Sequence, residues 1–110
     1  MTLAVRSAVR LVKEGRVHAV KLEGGANISD RIAAIVKAGV PVIGHVGLTP
    51  QTNTSGASAF GASAQEAEDL LKDCLAVQDA GAFAVVLEAV AEPAAKWITS
   101  KLKIPTIGVG

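Results

Sequence analysis

Four short runs of β-branched and apolar residues, each preceded by a stretch of helical spacing, constrain this chain more than any other feature. The runs are residues 17–23, 40–46, 83–88 and 104–110. Runs this short and this apolar read as buried strands of a parallel sheet. Between them the apolar residues recur at helical intervals. Val5, Ala8, Val9 and Val12 mark a helix over 4–14. Ile28, Ile32, Ile35 and Val36 mark one over 30–38, with Ser29 or Asn27 as its cap. Ala67, Leu70, Leu71, Cys74 and Leu75 mark one over 64–80. Ala94, Trp97, Ile98 and Leu102 mark a last helix, with Pro93 in its first turn. Gly15, Gly39 and Gly81 follow the first three helices as stops. The order α-β-α-β-α-β-α-β implies right-handed crossovers and a parallel sheet with its helices outside. No linker interrupts it, so residues 1–110 read as one α/β domain.

Composition narrows the function classes. Half the residues are hydrophobic but only 3% are aromatic, so the core must be built from Ala, Val, Leu and Ile. The net charge is +1 with no basic run, which argues against nucleic acid and against an anionic membrane surface as partners. No apolar run approaches the roughly 18–20 residues of a membrane span, and the N-terminus has no apolar signal core. Cys74 is the single cysteine, which excludes an internal disulfide and fits a reducing compartment. A cytoplasmic setting is expected, or a mitochondrial one in a eukaryote.

The polar residues gather at the carboxyl ends of the runs. Lys21 and Glu23 end the first, His45 the second and Glu88 the third, while Gly108 and Gly110 close the fourth. Ligands of parallel α/β folds bind at this rim, with catalytic groups drawn from several strands. Two acids, an imidazole and a lysine there form a reactive set. Glu88 is the sharpest member, because a carboxylate inside an apolar run needs a partner or a task. Bland readings stand beside these. Lys21 and Glu23, two apart, could pair with each other, and His45 could be a satisfied core histidine. Gly24-Gly25 is a weak signal for a phosphate cradle. His18 reads as surface, Cys74 as core, and Trp97 as core or interface. The polar, glycine-bearing stretch over 47–63 is long for a compact domain and reads as a functional loop.

Taken together, Val20-Lys21-Leu22-Glu23-Gly24-Gly25, Pro41-Val42-Ile43-Gly44-His45-Val46-Gly47-Leu48-Thr49-Pro50-Gln51, Ala80 to Glu88 and Ile104-Pro105-Thr106-Ile107-Gly108-Val109-Gly110 resemble the ketopantoate hydroxymethyltransferase family. The likeness runs from about residue 5 to residue 110. It implies part of a (βα)8 TIM barrel, about four parallel strands corresponding to strands four to seven. It also implies an activity: transfer of a hydroxymethyl group from 5,10-methylenetetrahydrofolate to 3-methyl-2-oxobutanoate in pantothenate biosynthesis. Position by position, Glu88 stands where the family has its catalytic base. Lys21 and His45 stand where residues contact the keto acid and line its pocket, and Glu23 where a glutamate serves the Mg2+ site. The partners implied are a small keto acid and a folate, in a homo-oligomer. A weakly acidic proton next to a ketone needs a carboxylate base and a cation near the enolate oxygen, which suits this set.

The chain departs from the family pattern in three ways. The early strands, which carry two magnesium-binding aspartates and a substrate-holding serine, have no counterpart here. Asp30, Asp69, Asp73 and Asp79 all fall in helical stretches and cannot replace those aspartates. The family's Gly-aromatic-basic-x-Gln-Gly run is replaced by Gly56-Ala57-Ser58-Ala59-Phe60-Gly61, and Ala89 stands where cysteine is common. Four strands also cannot close a barrel, so the chain is expected to be a fragment, one part of an assembly, or a degenerate copy. A non-catalytic module that keeps part of the site is the competing reading.

Overall fold

The computed structural model describes residues 3–47 and 63–109. Helices and strands alternate as expected: α1 (Leu3–Lys13), β1 (Val20–Glu23), α2 (Ser29–Lys37), β2 (Val42–Gly47), α3 (Ala64–Asp79), β3 (Ala84–Glu88), α4 (Glu92–Lys101) and β4 (Thr106–Val109). All strand pairs are parallel, and the sheet order is β1-β2-β3-β4. A doubly wound sheet would reverse direction at a switch point; this one does not. Sequential order with right-handed crossovers puts every helix on one face, the geometry of a barrel wall.

The pleat sorts the side chains between the two faces. Register aligns Leu22, Gly44, Val85 and Thr106 across the sheet, and this row meets the helices. A Cβ on Gly44 would stand 2.4 Å from Val77 Cγ1 of α3. Thr106 Oγ1 lies 2.8 Å from Thr99 Oγ1 of α4. The core lies in this layer, with Ile32, Ile35, Val42, Cys74, Val77, Val85 and Ile98 fully buried. The alternate residues Lys21, Glu23, Ile43, His45, Val86, Glu88, Ile107 and Val109 therefore share the opposite, inner face. That face is open, with Ile107 and Val109 each 46% exposed.

The sequence expectations differ from the structure mainly at element ends. The first strand begins at Val20 rather than at residue 17, because Arg16 adopts a left-handed φ of 58° and breaks the approach. Phe83 lies before β3 and is exposed, so the third strand is buried only from Ala84 onward. Neither Ser29 nor Asn27 caps α2; a short 3-10 turn over Ala26–Ile28 leads into it instead. Within that turn Ser29 Oγ donates to the Ala26 carbonyl and Asn27 Oδ1 accepts the Gly25 N–H. Ser63 does cap α3, accepting the Glu66 N–H at 3.2 Å. Cys74 is buried and His18 is exposed, as their positions in the sequence suggested. Trp97 is 37% exposed and lines an open cavity of about 330 Å³ between the first turns of α3 and α4.

Candidate active site

Three ionisable residues from three adjacent strands meet on the inner face. Glu23 closes β1, His45 sits two residues before the end of β2, and Glu88 closes β3. Glu23 and His45 are register partners across β1 and β2. Glu88 pairs with Gly47, one pleat beyond His45 on the same face. Parallel pairing with a period of two thus places these three residues on one face at neighbouring levels.

His45 is the hub. It is 3% exposed, the one buried polar residue among the described residues. Its Nε2 lies 2.7 Å from Glu88 Oε2, and its Nδ1 lies 3.9 Å from Glu23 Oε1. With Glu88 ionised, Nε2 carries the proton and donates it, which leaves Glu88 Oε1 for another partner. His45 Nδ1 and Glu23 Oε2 are buried with no hydrogen-bond partner among the described residues. Two such orphans on neighbouring strands are costly unless water, an ion or a substrate satisfies them.

The backbone around the cluster is drawn tight. Gly47 has a φ of +95°, and a Cβ there would stand 2.4 Å from the Glu88 carbonyl oxygen. Ala89, directly after Glu88, takes a left-handed φ of 55°, and its N–H is held by the Val109 carbonyl at 2.8 Å. Non-glycine residues in that region cost about 1–2 kcal/mol, and such strain concentrates at functional sites. Both features sharpen the exit of β3 just where Glu88 points inward.

Of the residues singled out from sequence, Glu23, His45 and Glu88 come together. Lys21 lies on the same face, one pleat deeper than Glu23, and is exposed with no ion pair among the described residues. Glu23 thus faces His45 instead of pairing with Lys21. The four aspartates lie on α2 and α3, as expected. The phosphate cradle at Gly24-Gly25 is not supported, because the Asp73 carboxylate lies against Gly25 and takes the Ala26 N–H. The Leu48–Gln51 motif, the Gly56–Gly61 run and Gly110 lie outside the described residues. The sequence reading missed Asp73, since an acid in mid-helix reads as solvent-facing. The glycine pair signals a close approach but not by what.

A Mg2+ ion fits this donor set only in part. Glu23 offers a hard carboxylate with one orphaned oxygen, the ligand type magnesium prefers. Among the described residues no three acidic, histidine or cysteine side chains group closely enough to hold a metal. The remaining oxygen ligands would have to come from outside them.

Sequentially ordered parallel strands with helices on one face define a segment of a (βα) barrel, with an acid–imidazole–acid cluster at its carboxyl rim. Comparison with known proteins makes this specific. The model of the ketopantoate hydroxymethyltransferase family matches residues 1–110, and the chain belongs to that family. It is 53% identical over 109 residues to a 3-methyl-2-oxobutanoate hydroxymethyltransferase of Emericella nidulans, covering 97% of this chain and 31% of the relative. The proteins of the same name from Chloroflexus aurantiacus and Geobacter sulfurreducens are each 54% identical, over 108 and 106 residues. Those matches cover 97% and 94% of this chain, and 38% and 40% of the relatives. The chain thus spans well under half the length of the curated relatives it matches.

Proposed function

We propose that this chain supplies the base-bearing part of a ketopantoate hydroxymethyltransferase site. In this reading the whole site transfers a hydroxymethyl group from 5,10-methylenetetrahydrofolate to 3-methyl-2-oxobutanoate. The observation that carries the reading is the 2.7 Å contact between His45 Nε2 and Glu88 Oε2 at the carboxyl rim.

That contact orients the base. His45 holds one oxygen of Glu88, which leaves the other for a keto acid at the inner face. Glu88 then takes the proton from the carbon next to the ketone. His45 donates to the carboxylate throughout and holds it in position. Lys21, one layer deeper on the same face, supplies a cation for the substrate carboxylate or keto oxygen. Ile43 and Val86, half-buried beside His45, give the substrate's methyl groups an apolar floor. Glu23 would hold the magnesium ion, directly or through water, and the ion when bound supplies positive charge for the enolate oxygen.

Among the described residues the outer edges of β1 and β4 are unpaired, and with the open inner face they call for further barrel strands. In this proposal those strands also bring the remaining magnesium ligands, and the complete protein is a homo-oligomer. Cytoplasmic residence belongs to the same reading. Among the described residues no helix is long and apolar enough to cross a membrane.

Hydroxymethyl transfer is the test, with the folate and the keto acid supplied together with Mg2+. Glu88→Gln should abolish turnover, and Lys21→Met should act mainly by raising KM for the keto acid. Turnover at the unsubstituted rate in Glu88→Gln would remove Glu88 from the reaction. No turnover by the folded, unsubstituted chain with the missing strands supplied would favour the non-catalytic module.

A further inference from the structure

Asp73 lies in the middle of α3, on a helix that carries none of the rim residues. Its carboxylate nonetheless reaches the turn after β1, where Oδ1 accepts the Ala26 N–H at 3.0 Å. The side chain also lies flat on Gly25. A Cβ there would stand 2.2 Å from Asp73 Cγ and 2.3 Å from Oδ1, so this approach is open only to glycine.

The three amides that follow Glu23 are all committed. The Gly24 N–H goes to the His45 carbonyl at 3.0 Å, the Gly25 N–H to Asn27 Oδ1 at 3.1 Å, and the Ala26 N–H to Asp73. The first tie fixes the exit of β1 to the strand that carries His45. The third fixes it to the helix that follows that strand. Gly24 has a φ of +126°, a conformation that glycine adopts readily, so the chain turns here directly after Glu23. What these ties hold is the spacing between Glu23 and His45, whose facing atoms Oε1 and Nδ1 stand 3.9 Å apart. Too wide for a direct hydrogen bond, that gap suits a bridging water or ligand atom, and it depends on where the backbone of residue 23 is held.

We propose that Asp73 is a positioning residue, which through the Ala26 N–H and the Gly25 contact fixes the Glu23 carboxylate opposite His45 Nδ1. Its function in turnover rests on the reading of Glu23, His45 and Glu88 as the site. Its geometry does not, and can be tested without turnover.

The experiment is imidazole 15N NMR of the chain at fixed pH, with the exposed His18 as an internal reference. Asp73→Ala should displace the His45 Nδ1 resonance beyond its linewidth and leave His18 in place. Asp73→Asn keeps an oxygen for the Ala26 N–H and should hold the His45 signal at its wild-type position. Ala26→Pro deletes the same hydrogen bond from the donor side, at the first position of the 3-10 turn, where no intrahelical bond is lost. It should move His45 as Asp73→Ala does, and it replaces that variant should Asp73→Ala fail to fold. A His45 signal indifferent to loss of the bond from either side overturns the proposal. So does an Asp73→Asn signal displaced as far as the alanine one. Because the readout needs no substrate, failure here is distinct from a failure of Glu88 in catalysis.

Discussion

Substitution of Gly47 by alanine should damage both the fold and the base, and its cost can be divided. Gly47 has a φ of +95°, where an L-residue pays about 1–2 kcal/mol. The added Cβ would also stand 2.4 Å from the Glu88 carbonyl oxygen and 2.9 Å from Val90 Cγ2. The first of these is backbone, so β2 or β3 must shift, an overpacking cost of about 1–3 kcal/mol. Together that is roughly 2–5 kcal/mol, a large share of the roughly 5–15 kcal/mol that stabilises a domain. Urea unfolding followed by circular dichroism reads it as a midpoint lowered by about 1–3 M. Two control glycines separate the terms. Gly39 has a φ of +93° with nothing within 4 Å of a Cβ, so Gly39→Ala should lose only the strain part. Gly108 has neither a positive φ nor a neighbour within 4 Å, so Gly108→Ala should be neutral or stabilising by about 0.4–1 kcal/mol. If Gly47→Ala costs no more than Gly39→Ala, the ends of β2 and β3 do not approach as described.

Two further outcomes are expected. A Cβ at Gly44 would meet Val77 Cγ1 at 2.4 Å, so Gly44→Ala should cost about 1–3 kcal/mol. The double variant Gly44→Ala with Val77→Ala should recover part of that loss in urea unfolding, and strict additivity would refute the contact. Burial, and secondarily the neighbouring Asp73 charge, push the Cys74 thiol from the usual 9.0 up to about 12. The native thiol therefore stays protonated while the unfolded one ionises, so stability is kept below pH 9.0 and lost between 9.0 and about 12. Cys74→Ala should flatten that part of the alkaline unfolding profile, and the native thiol should resist a thiol reagent at pH 8. Rapid native labelling would contradict its burial.

What the sequence disclosed, and what it hid, follows the range of the interactions involved. Helix and strand alternation is written in local periodicity, so the element order and the parallel sheet were legible. Glu23, His45 and Glu88 were legible as rim residues because each ends, or nearly ends, an apolar run. Their mutual contact was not, since it depends on strand register, which local periodicity does not carry. The strand starts expected at 17, 40, 83 and 104 fall one to three residues early, because mostly apolar residues precede the point where the ladder begins. The cap of α2 was misassigned because a carboxylate distant in sequence, that of Asp73, organises the turn before it. The left-handed turn at Ala89 carries no sequence signal at all, for alanine rarely takes that conformation.

Proton abstraction by Glu88 can be observed apart from the rest of the reaction. In deuterated buffer with Mg2+, NMR can follow exchange of the proton on the carbon next to the ketone of 3-methyl-2-oxobutanoate. No folate is required, so the step assigned to Glu88 is isolated from transfer. Exchange should be lost in Glu88→Gln. In His45→Ala it should fall by roughly 10–100-fold, because the carboxylate loses the partner that holds it in line with the proton. Exchange that persists unchanged in Glu88→Gln would contradict the assignment of the base, and with it the functional reading of the Glu23–His45–Glu88 cluster.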